Sequence, residues 1–281
     1  DGDDVVDAPA VESWSRFTPR VGVEYQMNRD TMFFASYSQG FKSGTFNPRA
    51  QTNEPGVRPE VVDSFEVGVK SDLTDAFRMN ITLFSYDHKD RQYIGIEGDL
   101  SDPTALDQRL RNAAETAAKG AELEMTWVAS DNLQFDAAYG YIDFEIKKNN
   151  AIPPLIGLAS TPENTFNFNA NYLLETRFGD ITFNANYYYR DDYLIFETSD
   201  LIQQDAYGMV NLSARWESTE GDWYAGLHVK NLTDEEYLVG GYDFVTQDND
   251  GNFGPGLGGD TTLIGYYGDP RTVHLTVGYR F

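Results

Sequence analysis

The chain has 281 residues and is strongly acidic, with 45 Asp and Glu against 21 Lys and Arg and a formal net charge of −24. Acidity argues against nucleic-acid binding, which needs basic patches, and the absence of cysteine excludes disulfides, thiol catalysis and thiolate metal sites. An acidic chain poor in apolar residues tends towards disorder, but one with 18 Tyr and 18 Phe does not. No apolar run approaches the ~18 residues of a transmembrane helix.

The dominant pattern along the chain is a period-two alternation of apolar and polar residues, which predicts β-strands. It is clear where Phe166 and Phe168 alternate with Asn167 and Asn169. The first half of the chain contains such segments near 17–27, 33–37, 62–71, 77–83, 121–127 and 133–141. The second half contains them near 166–172, 181–190, 210–216, 223–229 and 272–281. We therefore predict eleven strands.

The connections between these strands alternate between short and long. The short ones lie near 28–30, 72–76, 129–132, 174–180 and 217–222. The long ones lie near 42–61, 89–117, 148–164, 191–206 and 231–271. Outer-membrane barrels have short periplasmic turns and long extracellular loops, whereas a soluble β-sandwich has no reason to keep that rhythm. The predicted fold is all-β, a transmembrane antiparallel β-barrel with aromatic girdles at both membrane interfaces.

The same rhythm predicts the orientation of the chain. The last strand follows a long loop, so it runs inward and ends in the periplasm at Phe281. Counting back, the first strand also runs inward, and residues 1–15 are expected to be the remnant of an extracellular loop. Single-chain bacterial barrels have even strand numbers, and open edges cannot face lipid. We therefore expect residues 1–281 to be the C-terminal part of a plugged barrel of 22 strands.

Five short motifs follow one another in order. They are SQGFKSGTFN at 38–47, RPE running into SFEVGVK at 58–70, KGAELE at 119–124, VKNLTDEEY at 229–237 and GYRF at 278–281. Together they resemble the C-terminal barrel half of TonB-dependent receptors, in the iron-complex or siderophore branch. The resemblance covers nearly the whole chain, but no plug domain and no TonB-contacting box lie within it.

The resemblance implies an active importer of a bulky solute, first of all a metal–siderophore complex, in the outer membrane of a Gram-negative bacterium. Its implied partners are the plug and upstream barrel strands of the same protein, the TonB–ExbB–ExbD energy system and outer-membrane lipid, including lipopolysaccharide. The barrel assembly machinery would recognise the terminal aromatic signal of Tyr279 and Phe281. A passive porin-like or structural barrel is the alternative function. Aromatic compounds, oligosaccharides and cobalamin are the alternative cargoes.

Charged and histidine side chains on the polar face are predicted to point into the lumen, where they contact one another or the plug. These residues are Glu66, Lys70, Glu122, Glu124, Arg190, Arg215, His228, Lys230 and His274. Glycine at positions 68 and 120 on the same face is expected to leave room beside a packed lumen.

Aromatic residues at the extracellular side are candidates for stacking on a flat ligand. Four of them lie where strands exit into loops, namely Phe41, Phe46, Tyr193 and Phe196, and girdle or loop packing is the alternative. The others lie in the long acidic loop 231–271, namely Tyr237, Tyr242, Phe244, Tyr266 and Tyr267. This loop is either a binding lip or a solvated acidic loop.

Metal and enzyme chemistry have little support in the sequence. Asp248 and Asp250 hint at calcium, but the twelve-residue spacing and the terminal bidentate glutamate are missing, so a plain turn is favoured and no cofactor is expected. The three histidines lie on separate strands without a nucleophile motif, so we expect no enzymatic activity.

Overall fold

A computed structural model describes residues 11–47, 55–97, 107–243, 245–247, 253–255 and 263–281. The barrel wall begins with β1 (Arg20–Gln26), β2 (Thr31–Lys42), β3 (Glu60–Thr74), β4 (Phe77–Glu97), β5 (Asp107–Ser130), β6 (Leu133–Asn149), β7 (Asn164–Thr176) and β8 (Gly179–Arg190). There follow β9 (Tyr193–Phe196), β10 (Ser199–Gln204), β11 (Tyr207–Glu217), β12 (Trp223–Lys230), β13 (Leu238–Asp243), β14 (Val245–Gln247), β15 (Phe253–Pro255), β16 (Leu263–Tyr267) and β17 (Thr272–Tyr279).

Eleven of these strands form one antiparallel sheet, in the order β1-β2-β3-β4-β5-β6-β7-β8-β11-β12-β17. The predicted number of wall strands is therefore confirmed, and the sheet is a simple meander apart from the inserted hairpins. The periplasmic turns are short and occupy 27–30, 75–76, 131–132, 177–178 and 218–222. No helix among the described residues is long and apolar enough to span a membrane.

The two faces of the sheet differ in polarity as the alternation predicts. The outward face exposes large apolar side chains along its whole length; Val67 is 50% exposed and Leu275 is 74% exposed. No large side chain is fully buried in the described part of the chain. A sheet with one apolar, uncovered face is suited to contact lipid rather than to form the core of a soluble protein.

The prediction of a long connection at 89–117 is wrong, because most of these residues belong to strands. β4 continues to Glu97 and β5 begins at Asp107. The register between them shifts at His88 and Arg91, and Asp90 between these residues has a φ of 54°. A bulge of this kind inserts residues into one strand and reverses the alternation beyond it. The period-two pattern therefore disappears from the sequence although the pairing continues.

The connections 191–206 and 231–271 also contain strands that the alternation did not predict. β9 pairs with β10, β13 with β16 and β14 with β15, each as an antiparallel hairpin outside the main sheet. Buried Ile202 of β10 fills the space over Gly241 and Gly265 of the β13–β16 hairpin; its Cδ1 lies 2.8 Å from the position that a Cβ would take at Gly241. The hairpins therefore pack on each other and extend the wall on the extracellular side.

Candidate ligand-binding site at the extracellular mouth

The strand register places all nine predicted lumen residues on one face of the sheet. Glu66 is opposite Ser36 and Phe84, and Glu122 is opposite Thr82 and Gly140. The remaining members occupy equivalent positions, namely Lys70, Glu124, Arg190, Arg215, His228, Lys230 and His274. We call this surface the lumen face. Contact of these residues with a plug stays a prediction.

Two glycines of the recognised motifs make room for aromatic rings on the lumen face. A Cβ at Gly68 would lie 2.5 Å from Cζ of Phe34, and one at Gly120 would lie 2.4 Å from Cζ of Phe84. Any side chain at these positions would therefore displace a ring of the neighbouring strand. The prediction that the two glycines leave room beside the lumen wall is confirmed.

An asparagine network crosses the lumen face of β7, β8 and β11. The Asn184 amide donates to Asn171 Oδ1 at 2.8 Å, and the Asn186 amide donates to Asn167 Oδ1 at 3.2 Å. Asn211 extends the network to Asn186 at 3.1 Å. The side chain of Asn186 both donates and accepts, so neutral amides link these strands without placing a charge in the lumen.

Arg190 lies within a group of tyrosines at the extracellular end of the lumen face. Its guanidinium carbon is 5.5 Å from the ring centroids of both Tyr188 and Tyr193. Tyr207 packs edge-on against Tyr188 at 6.3 Å and stacks on Tyr237 at 5.0 Å with an interplanar angle of 17°. We call these five residues the Arg190–tyrosine cluster.

The charge of Arg190 is not neutralised within the described part of the chain. No described carboxylate lies within ion-pair distance of its guanidinium, and its buried Nε has no hydrogen-bond partner there. Tyr188 and Tyr207 were missed by the sequence reasoning, although both flank the ends of strands next to Arg190. The arrangement offers a cation and several ring faces to a ligand, which suits a flat anionic group.

Asn231 explains the NLTD part of the 229–237 motif. It is 3% exposed and has a φ of 50°, and its side-chain oxygen accepts from the Glu235 N–H at 2.8 Å. Its amide group donates to the carbonyls of Glu235 and Asp269, at 2.8 and 3.2 Å. Because Asn tolerates this left-handed conformation better than other side chains, the residue closes the turn beyond β12 and ties it to the segment before β17.

A buried carboxylate that the sequence reasoning assigned no role joins three strands on the lumen side. Glu60 is 7% exposed, and its Oε1 accepts from Lys42 Nζ at 2.7 Å and from the Gln92 N–H at 2.9 Å. Its Oε2 contacts His88 Nε2 at 2.7 Å. The only signal in the sequence is its place in the RPE motif at 58–60. Glu60 therefore stabilises the bulged part of β4 against β2 and β3.

A second ion pair joins separate hairpins. Arg91 of β4 and Glu197 beside β9 lie 2.6 Å apart, with side chains 19% and 22% exposed. The Glu197 carbonyl also accepts from the Ile156 N–H at 2.7 Å. This ion pair and the Glu60 contacts hold the extracellular hairpins in one continuous layer around the mouth.

The predicted aromatic residues do not form a single group. Phe41 pairs with Val61 and lies on the outward face together with Tyr37 and Gln39, which favours the alternative of girdle or loop packing for this residue. Phe46 packs on Trp14 at 5.9 Å. Phe196 is half-buried at the end of β9, beside Ser199.

Of the remaining aromatic candidates, two tyrosines join the Arg190–tyrosine cluster and three lie on the last hairpin. Tyr193 is buried and its hydroxyl donates to the Leu238 carbonyl at 3.1 Å. Tyr242 and Tyr266 pack edge-to-face at 5.8 Å, and Tyr267 is 68% exposed. Phe244 and the weak calcium candidates Asp248 and Asp250 lie outside the described residues.

Acidic residues of the mouth are engaged in structural contacts. Asp234 Oδ1 accepts from the Arg271 N–H at 2.9 Å, and Asp243 Oδ2 accepts from the Ser199 hydroxyl at 2.5 Å. In the loop beyond β8, hydrogen bonds from Asn164 and from the Tyr189 hydroxyl hold the pKa of Asp191 below its ordinary value. These carboxylates stabilise loops, so they are less available to a ligand than the Arg190–tyrosine cluster.

Comparison with known proteins identifies the family. A family model described as "TonB dependent receptor-like, beta-barrel" matches residues 1–232. The chain belongs to this family. Barrels of this family lie in the outer membrane of Gram-negative bacteria, so this is the location of the TonB-dependent receptor barrel described here.

Individual relatives agree with that assignment. The metal-pseudopaline receptor CntO of Pseudomonas aeruginosa is 28% identical over 236 residues, which are 81% of this chain and 31% of the relative. The ferric yersiniabactin uptake receptor FyuA of Yersinia pestis superposes with a TM-score of 0.71 at 19% identity, over 93% of this chain and 37% of that structure. The ferripyoverdine receptor of P. aeruginosa gives 0.66 at 19% identity, over 96% and 34%. The chain thus spans about a third of the length of these relatives.

Proposed function

We propose that the complete protein is an outer-membrane receptor that binds a metal–siderophore complex at its extracellular mouth and imports it with energy from the TonB–ExbB–ExbD system. The family membership supports the class of protein. The names of the relatives, which include receptors for metal-pseudopaline and for ferric pyoverdine, support the class of cargo. Because the chain spans only about a third of them, transport is a property of the whole protein.

The open sheet supports the presence of further strands in the same protein. β1 and β17 are the edges of the eleven-stranded sheet, and every residue of β1 is exposed. Unpaired backbone groups cost several kcal/mol each in lipid, so a stable membrane barrel must pair both edges. We infer that this chain supplies half of a barrel of 22 strands, with residues 11–15 belonging to an extracellular loop. Residues 1–10 of the loop predicted at 1–15 lie outside the described residues. The lumen-face charges then contact the plug.

The Arg190–tyrosine cluster is the observation that carries the cargo proposal. An unneutralised guanidinium among four tyrosines can form charge-assisted hydrogen bonds to an anionic chelate, while the rings stack on its flat parts. The exposed Tyr242–Tyr266 pair offers a second aromatic surface on the last hairpin. The chain has a net charge of −24 and therefore repels anions over most of its surface. The cation of Arg190 directs an anionic ligand to this cluster.

The test measures binding to the complete purified receptor through quenching of its intrinsic fluorescence. The probes are the metal complexes of pseudopaline and the ferric complexes of yersiniabactin and pyoverdine. Arg190→Gln should weaken the binding of the preferred probe by about tenfold or more, because a hydrogen bond to a charged group contributes about 1.5–3 kcal/mol. Arg78→Gln, which removes a lumen-face arginine paired with Asp72 near the periplasmic turn, is the matched control and should change little.

Uptake of the same probe by cells separates an active receptor from a passive pore. Uptake should saturate and should stop when a protonophore removes the proton gradient. Saturable binding that Arg190→Gln leaves unchanged would overturn the assignment of the cluster. Uptake that neither saturates nor responds to the protonophore would contradict the proposed receptor function and favour a porin-like barrel.

A further inference from the structure

Two of the three histidines in the chain lie directly opposite each other on adjacent strands. His228 of β12 is the register partner of His274 of β17, and both project from the lumen face. His228 lies five residues after Trp223, the first residue of β12, so the pair is roughly 16 Å from the periplasmic end of the wall. The pair therefore lies within the lumen and not among the extracellular hairpins.

The environment leaves both imidazoles free to act as ligands. Neither ring forms a hydrogen bond or ion pair with another residue in the described ranges, whereas His88 is held by Glu60 at 2.7 Å. Gly226 provides space for the His228 ring, since a Cβ there would lie 3.2 Å from Nε2. The flanking charged residues on the same face are Arg215 and Lys230.

The spacing suits two nitrogen ligands on one metal ion. Directly opposed residues of an antiparallel pair have Cβ atoms about 4.5–5.5 Å apart. Metal–imidazole bonds of about 2.0–2.1 Å require the two ring nitrogens to come within about 4 Å of each other. Rotation about the side-chain bonds of two unhindered histidines reaches that distance. No group of three or more His, Cys, Asp or Glu is arranged for a metal in the described part of the chain, so the pair supplies two ligands only.

We propose that His228 and His274 form a two-histidine site for a borderline divalent metal ion in the barrel lumen. Neutral imidazole favours Cu²⁺, Ni²⁺ and Zn²⁺, with Cu²⁺ bound most tightly among first-row divalent ions. Two protein ligands leave coordination positions for water or for donor atoms of a chelator. The neighbouring cations Arg215 and Lys230 weaken the site, which suits a point of transient metal binding more than a permanent structural centre. The site is separate from the cargo cluster at the mouth and requires only that β12 and β17 line the barrel interior.

The test titrates Cu²⁺ into the complete, metal-free receptor and records pulsed electron paramagnetic resonance, in which coordinated imidazole nitrogens give a characteristic signature. Wild type and His88→Ala should bind one ion with two equivalent imidazoles. His228→Ala and His274→Ala should each remove the two-nitrogen signature and weaken binding by ~10-fold or more, and the double variant should add little further.

Other outcomes would overturn the site. Single variants that each keep half of the bound copper, with additive loss in the double variant, would mean two independent surface imidazoles. Loss of the signature in His88→Ala would place the metal elsewhere. His228→Gln and His274→Gln, checked for the heat-modifiable gel mobility of a folded barrel, exclude loss of binding through misfolding: a folded Gln variant that retains the two-nitrogen signature contradicts the proposal.

Discussion

The membrane-spanning wall and the extracellular layer are stabilised in different ways. The buried apolar side chains of the described chain lie at the extracellular ends of strands and in the loops beyond them, for example Val57, Ala114, Leu155, Tyr193 and Ile202. The buried charged contacts of Glu60, Arg91 and Glu197 lie there too. The spanning part has polar side chains facing the lumen and exposed apolar ones facing outward.

This difference means that the wall depends on its backbone ladder and on lipid, while the layer depends on particular side chains. In the wall, a strand such as β8 pairs along its length with both of its neighbours, β7 and β11, and single side chains contribute little to the pairing. In the layer, one residue such as Glu60 joins three strands. Substitutions of comparable chemistry should therefore cost more in the layer than in the wall.

Removal of the buried carboxylate should have the largest effect. Glu60→Ala leaves the mostly buried His88 ring and the Gln92 N–H without their acceptor and should cost about 2–3 kcal/mol locally, since loss of one partner leaves buried polar groups unsatisfied. Hydrogen exchange at the Gln92 amide should accelerate by about thirtyfold or more. Asp72→Asn, which breaks the exposed pair with Arg78 near the periplasmic turn, is the control. An equal effect of the two variants would remove the contrast between layer and wall.

The second-largest loss of stability is expected when the ion pair between Arg91 and Glu197 is broken. Arg91→Ala and Glu197→Ala should each destabilise the contact between β4 and the β9–β10 hairpin by about 1–2 kcal/mol, because their side chains are mostly buried. A double-mutant cycle monitored by amide exchange at Ile156 should give a coupling of about 1 kcal/mol or more. Additive effects would show that the two residues act independently and that the hairpins are held by other contacts.

A smaller difference in stability is expected between the alanine variants of two asparagines, one in the layer and one in the wall. Asn231→Ala should lower the stability by about 1–2 kcal/mol, because it removes three hydrogen bonds between the Asn231 side chain and backbone groups. It also removes a residue type that favours a positive φ. Asn186→Ala, in the lumen network of the wall, should cost less than about 1 kcal/mol, since water can replace its partners. Thermal unfolding in detergent compares the two variants; a larger loss for Asn186→Ala would reverse the proposed order.

The smallest effect should be a pH dependence of the stability of the loop beyond β8. The pKa of Asp191 is lowered mainly by the hydrogen bond from Asn164. Its stabilising contribution is therefore complete above the unfolded value of about 3.9 and is lost as the pH falls through the lower folded value. The protection factor of the Asn164 amide, which is the intrinsic exchange rate divided by the observed rate at the same pH, should be constant from pH 7 to about 5 and should fall in stronger acid. Asp191→Asn should abolish that fall, and its persistence in the variant would assign it to another group.

The sequence was sufficient to predict the strands of the wall, because the period-two alternation shows directly which side chains face lipid. It predicted the eleven strands and the lumen positions of residues such as Glu122 and His228. It was insufficient for the layer, where the bulge around Asp90 reversed the alternation and hid the extension of β4 and β5. Contacts such as Arg91–Glu197 join residues far apart in the chain and leave no local pattern.

Hydrogen exchange of the edge amides tests most directly whether this chain forms one part of a closed receptor barrel. Gln39 donates to the Pro19 carbonyl and Arg280 donates to the Asp222 carbonyl. Because hydrogen-bonded pairs alternate along an antiparallel ladder, the amides of Gly22, Glu24, Leu275 and Val277 point away from the neighbouring strands.

In protein extracted from outer membranes, we predict that these four amides exchange as slowly as those that face β2 and β12, because additional strands of the same protein pair with both edges. Fast exchange of these amides, beside protected neighbours, would mean that the edges are open and would contradict the account.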